Sequence, residues 1–159
     1  MLEPGTVFPQ LPIHTIAHGD MVLPDALAGR YGVVLLYRGA WCPYCNAQLR
    51  AFQHARASLE KVGAQVVALS VDDEDTTREL ADKHQLSYPI GFGASAHEIA
   101  QATGAFVNPD PAYLQSTGFV LDRTGRILVS VYSSGAIGRL VPADVVGLIE
   151  YVDGMPREA

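Results

Sequence analysis

Two cysteines stand three residues apart in Trp41-Cys42-Pro43-Tyr44-Cys45, and the 159-residue chain has no others. Thiols at that spacing on a helix start face each other closely enough to close a small disulfide ring. A helix N-terminus supplies unpaired N–H groups and a partial positive charge, and both favour thiolate over thiol. The thiolate is the reactive form, and a second thiol in reach can resolve a sulfenic acid or a mixed disulfide by intramolecular attack. Pro43 suits the first turn, where its missing N–H would have no intrahelical partner, and it stiffens the ring. A structural zinc site needs four ligands, but no second cysteine pair exists and His14, His18, His54, His84 and His97 lie scattered, so no metal is expected. No cofactor is expected either. Two inert core cysteines would seldom fall together at a strand-to-helix junction.

Position on the helix divides the labour between the thiols. Cys45 opens an apolar stripe that continues through Leu49, Phe52, Ala55, Leu59 and Val62, a helical period that predicts one buried face over Cys42–Val62. Cys42 precedes the first turn and is expected to be the more exposed sulfur. On that ground Cys42 is the expected attacking thiolate and Cys45 the resolving thiol. Arg38, four residues before Cys42, is the cation nearest in sequence for a departing oxygen, although an arginine at a strand end can equally face solvent. Trp41 reads as packing on the helix start, and Tyr44 as a surface aromatic lining the approach to the thiols.

The elements on either side must hold this motif in place. Gly32–Tyr37 (GVVLLY) and Gln65–Val71 (QVVALSV) are apolar runs of the kind found in strands covered on both faces. With the intervening helix, which Gly63 ends, they form a parallel crossover. Before them, Leu11–Ile16 and Met21–Leu23 read as a short hairpin about His18-Gly19-Asp20, followed by one helical turn from Pro24 to Ala28. After them, Thr76–Glu79 and Ser95–Glu98 read as capping boxes of helices reaching His84 and Gly104. A short strand over Tyr88–Ile90 separates them. Ala105–Thr117, with Pro109 and Pro111, reads as irregular. Gly118–Leu121 and Arg126–Val131 then pair across the Asp122–Gly125 turn, and Pro142–Val152 closes the chain as a helix. The order βαβ then ββα predicts a mostly parallel sheet covered on both sides.

Composition removes several function classes. Seventeen acidic against eleven basic residues give a net charge of −6, and no Lys/Arg run interrupts it, so nucleic acid is an unsuitable partner. No uncharged apolar stretch approaches the ~18 residues of a membrane span, and MLEPGTVFPQ lacks the cationic and apolar segments of a signal peptide. No membrane partner is therefore expected. A cytoplasmic location is, because a reducing compartment suits a cycling dithiol.

GVVLLYRGAWCPYCNAQLRAFQ resembles the thioredoxin superfamily and, more narrowly, its alkyl hydroperoxide reductase/thiol-specific antioxidant branch, the peroxiredoxin-like proteins. VLPDALAG before it, and VVALSVDD and GFVLDRTGRIL after it, carry the resemblance over nearly the whole length. The resemblance implies one thioredoxin-like α/β domain over residues 1–159. Its central mixed sheet would have helices on both faces and a short N-terminal hairpin. It also implies hydroperoxide substrates, an external thiol reductant, and the homodimer common in the branch. In that branch the peroxide-attacking cysteine ends the motif P-x-x-x-T-x-x-C. Carried over, Cys45 takes the attacking position, Cys42 that of the threonine and Arg38 that of the proline. Ser116 stands where the branch has its peroxide-orienting arginine, so Ser116 and Thr117 join Arg38 and Trp41 as candidate substrate contacts. Thioredoxins have a cis-proline near Gln115–Gly118, which has none, and a buried acid where this chain has Leu36.

These readings leave three functions open. The first is an antioxidant thiol peroxidase cycling Cys42 and Cys45 between dithiol and disulfide. The second is a thioredoxin-like reductase of protein disulfides, which the absence of the arginine favours. The third is a redox-sensing or interaction module without turnover.

Overall fold

The coordinates, a computed structural model, describe residues 1–154; residues 155–159, the end of the expected domain, lie outside the described residues. Strand β1 (Leu11–Ile16) and β2 (Gly19–Leu23) form the N-terminal hairpin, with a 3-10 turn at Asp25–Leu27. The crossover follows as β3 (Tyr31–Leu36), α1 (Pro43–His54), α2 (Arg56–Lys61) and β4 (Ala64–Leu69). Then come α3 (Glu74–His84), β5 (Ile90–Phe92), α4 (Ala96–Thr103), β6 (Val107–Pro109) and β7 (Ala112–Leu114). β8 (Thr117–Leu121), β9 (Ile127–Tyr132) and α5 (Pro142–Asp153) complete the order.

Seven strands make one sheet in the order β2-β1-β5-β4-β3-β8-β9. Only the β3–β4 and β4–β5 pairs are parallel; the other four are antiparallel. The mixed sheet is therefore present, but the mostly parallel one read from the strand order is not. The N-terminal hairpin accounts for part of the difference, because β1 docks antiparallel on β5 and extends the sheet.

β3 and β4 lie at the centre, which is why both are apolar along their length. On β3, Val33 and Leu35 face one core with Leu49, Phe52 and Leu59 of α1 and α2, Leu80 of α3, and Val145 and Ile149 of α5. Val34 and Leu36 face the other core with Ile99 of α4, Leu23 and Leu121. Alternate residues thus enter opposite layers, and helices cover both faces. Among the described residues no helix is long and apolar enough to cross a membrane.

Three local readings change. The helix expected over Cys42–Val62 is interrupted at Ala55 (φ −87°, ψ 8°). The Leu59 N–H still bonds the Ala55 carbonyl at 2.9 Å, so Leu59 remains on the buried side beyond the break. α3 is capped by Asp73, whose carboxylate accepts the Thr76 N–H at 2.8 Å; Thr76 already lies inside the helix. Ala105–Thr117 is not irregular but holds the β6–β7 hairpin, whose turn is closed by the Asn108 side-chain amide donating to the Pro111 carbonyl at 2.8 Å.

Leu121 is fully buried in the second core, so Leu121→Ala should lower stability by about 3 kcal/mol through lost burial and an unfilled cavity. Chemical denaturation is expected to show a lower midpoint at unchanged slope. A loss below ~1 kcal/mol would mean that the neighbours collapse into the space.

Candidate active site

The dithiol sits where β3 gives way to α1. Cys42 is the N-cap of α1, in extended backbone (φ −90°, ψ 113°), and its Sγ accepts the Cys45 N–H at 3.3 Å. A sulfur thus takes the capping place usually held by an oxygen, and Pro43 occupies the first turn. The approach loop is pinned on two sides. The Ala40 N–H donates to Asp72 Oδ2 at 2.8 Å, and the Ala40 carbonyl accepts the Asn46 side-chain amide at 3.0 Å. Burial pushes the Asp72 carboxyl above the usual range, against the pull of the Ala40 N–H and Ser70. A Cβ at Gly39 would lie 2.3 Å from the Trp41 indole nitrogen, so the indole folds back over a residue that has no side chain.

Two guanidinium groups converge on the sulfurs. Arg38 gives its backbone N–H to Cys45 Sγ at 3.3 Å and its Nη1 lies 3.8 Å from Cys42 Sγ. The rest of that side chain is held by Gln115 Oε1 at 3.0 Å and the Tyr113 hydroxyl at 3.2 Å. Its Cζ lies 4.9 Å from the Trp41 ring centre and 5.3 Å from that of Tyr113, and these two rings meet edge to face. Arg139 comes from the segment after β9 and places one Nη2 atom 3.0 Å from Cys45 Sγ and 3.7 Å from Cys42 Sγ. Gln48, one turn along α1, fixes this segment twice: its Oε1 accepts Arg139 Nη1 at 2.8 Å and its Nε2 donates to the Leu140 carbonyl at 3.0 Å. Leu140 in turn rests against Gly118 of β8, where any side chain would collide with it at 2.7 Å.

These contacts split the two thiols. For Cys42, burial pushes the thiol up, but the Cys45 thiol and N–H, Arg38 and Arg139 together outweigh it and the net shift is down. For Cys45, burial pushes up first and its hydrogen bond to the Cys42 sulfur adds to it, so the thiol stays above the ordinary range despite the Arg38 N–H and Arg139. Arg139 is nearer Cys45, yet it is Cys42 whose ionisation is favoured, since Cys42 also receives the helix N–H and the neighbouring thiol. Of the two, Cys42 is therefore the thiol that ionises first.

The expected contrast in exposure is absent. Cys42 and Cys45 are both 0% exposed, because Cys42 is enclosed with the core of the first layer while Arg38 and Arg139 reach its sulfur. Trp41 and Tyr44 are 55% and 56% exposed. Arg38 and Trp41 are gathered at the thiols. Ser116 and Thr117 are buried, and Thr117 Oγ1 donates to the Gln115 carbonyl at 3.1 Å; neither hydroxyl bonds a sulfur among the described residues. Their neighbour Gln115 reaches the site instead, through Arg38. Among the described residues no three His, Cys, Asp or Glu side chains gather to hold a metal ion. Arg139 had no local signal, since it stands alone in a Ser/Gly-rich segment 94 residues after Cys45.

A model of the AhpC/TSA family matches residues 4–130. A peroxiredoxin of Treponema denticola is 29% identical over 139 residues, covering 85% of this chain and 66% of its own length. One from Methanothermobacter thermautotrophicus is 26% identical over 149 residues, covering 91% and 70%. The chain thus spans about two thirds of the length of these relatives. Peroxidoxin BcpB from Mycobacterium tuberculosis superposes with a TM-score of 0.83 at 18% identity, covering 96% of this chain and 99% of that one. AhpC of Enterococcus faecalis gives 0.82 at 16% identity, covering 96% and 93%. At such identities the likeness is one of fold, and the fold they share with this chain is thioredoxin-like.

Proposed function

The chain belongs to the AhpC/TSA family, and on that premise we propose that it reduces hydroperoxides with Cys42 and Cys45 as a dithiol. The observation that supports this most directly is the convergence of two guanidinium groups on two adjacent thiols, of which Cys42 is the one whose ionisation is favoured. The Cys42 thiolate attacks one peroxide oxygen, the O–O bond breaks, and the departing alkoxide takes a proton and leaves as an alcohol. Arg38 and Arg139 offset the charge that develops on that oxygen. The product is a Cys42 sulfenic acid. Cys45 then loses its proton and attacks the Cys42 sulfur, hydroxide leaves as water, and a disulfide forms. Two electrons have passed from the two thiols to the peroxide, and an external thiol restores them.

Reduction of protein disulfides drew its support from Ser116 standing where the branch has an arginine. Arg139 and Arg38 supply positive charge at the thiols from other places in the chain, so peroxide reduction is the reading favoured here. Trp41 is the single tryptophan and adjoins Cys42, which makes its fluorescence a direct report. Stoichiometric hydrogen peroxide should change that fluorescence rapidly in stopped flow, with loss of both titratable thiols. Because the Cys42 thiol is lowered, the rate should rise with pH through a midpoint below that of an ordinary thiol and level off above that midpoint. A protein that ignores peroxide and responds only to disulfides would overturn the proposal.

A further inference from the structure

We infer that the reductant of the Cys42–Cys45 disulfide is a small thiol that carries a carboxylate. This rests on the dithiol reading above and asks what the same site becomes once oxidised. In the reduced protein both guanidinium groups lie against the sulfurs, of which Cys42 is the one whose ionisation they favour. Closing the disulfide leaves neither sulfur able to ionise, while both cations stay. Among the described residues neither guanidinium is ion-paired to a carboxylate. Their other partners are neutral: Gln115 and Tyr113 for Arg38, Gln48 and the Ala136 carbonyl for Arg139. Asp72 serves the same loop but accepts the Ala40 N–H. On a chain of net charge −6, the oxidised site is then a local positive spot that attracts a small anion.

Size points the same way. Both sulfurs are fully buried while Trp41 and Tyr44, their neighbours in the chain, are half-exposed, which suits a small molecule better than a cysteine fixed on a folded protein. In the exchange, the incoming thiolate attacks Cys42 Sγ, the S–S bond breaks, and the electron pair leaves on Cys45 Sγ beside Arg139. A second thiolate attacks the outer sulfur of the mixed disulfide, releasing the Cys42 thiolate and a symmetrical small disulfide. Two thiols are oxidised, the protein gains two electrons, and the thiols' protons pass to the protein or to water.

The test uses the full chain oxidised with one equivalent of hydrogen peroxide, the disulfide being verified by mass. It is then reduced by 3-mercaptopropionate, 2-mercaptoethanol and cysteamine, which are negative, neutral and positive. Rates are referred to each probe's thiolate concentration and read from Trp41 fluorescence. At low ionic strength the carboxylate thiol should exceed the cationic one by about tenfold. The spread should close near ~0.5 M salt, where the screening length is only a few ångströms. Arg38→Met should narrow the low-salt spread by roughly threefold. Equal rates, or a faster cationic thiol, at low salt would overturn the inference for the wild-type protein whatever the variant does. If peroxide produces no disulfide, the dithiol reading itself falls and takes this inference with it. A disulfide that forms and is then reduced without charge preference removes the inference alone.

Discussion

Cys42→Ser is expected to slow the reaction with hydrogen peroxide by at least about 10³-fold, because an alcohol replaces the only sulfur whose ionisation the site favours. Cys45→Ser should behave differently. The Cys42 sulfur keeps the residue-45 N–H and both guanidinium groups, so the first step survives and the protein stops at the sulfenic acid. Trapping with dimedone and weighing the adduct distinguishes the two variants: Cys45→Ser should label fully after one equivalent of peroxide, and Cys42→Ser should not. The opposite pattern would assign the attack to Cys45, the position that matches the cysteine of P-x-x-x-T-x-x-C. Serine differs from cysteine by one atom, so a folded variant is expected, and unchanged far-ultraviolet dichroism verifies it.

What was legible in the sequence follows from how local each cause is. The central strands could be read because a strand covered on both faces has no polar side to interrupt GVVLL or VVAL. The dithiol could be read because its chemistry lies within five residues. Strand direction at the sheet edge could not, since the docking of β1 on β5 depends on a contact more than seventy residues apart and no nearby pattern encodes it. The site itself divides along the same line. Arg38 is four residues from Cys42, whereas Arg139 arrives only because Gly118 makes room for Leu140 and Gln48 grips the segment from α1. Each of those residues is ordinary alone. Tyr113 and Gln115 were hidden for another reason: prolines at 109 and 111 suggest a plain connector, yet they sit at the tip of a hairpin whose second strand carries Tyr113 and leads into Gln115, the two residues that clamp Arg38. The expectation that Cys42 is exposed failed because position before a first turn says nothing about which distant side chains close over it.

Arg139→Met should lower the peroxide rate by roughly 10²-fold, the loss typical of removing one preorganised donor to developing charge. The variant removes a cation 3.0 Å from Cys45 and 3.7 Å from Cys42, while methionine keeps most of the aliphatic stem. Arg139 lowers both thiols, so both should rise in the variant. The sign of the pH dependence follows. Rate tracks the thiolate fraction, which grows as pH rises through the thiol's pKa; raising that pKa moves the midpoint to higher pH. The deficit against wild type should therefore be larger near pH 6 than near pH 9. Part of it should persist above both midpoints, because the cation also acts on the departing oxygen. Arg139→Lys gives a useful contrast: it restores the charge but cannot hold Gln48 and a sulfur with one planar fork, so recovery should be partial. A merely structural role for Arg139 predicts a different record, with a lower thermal midpoint and an unshifted pH profile. Wild-type rates at every pH in Arg139→Met would show that Arg38 alone sustains the thiolate.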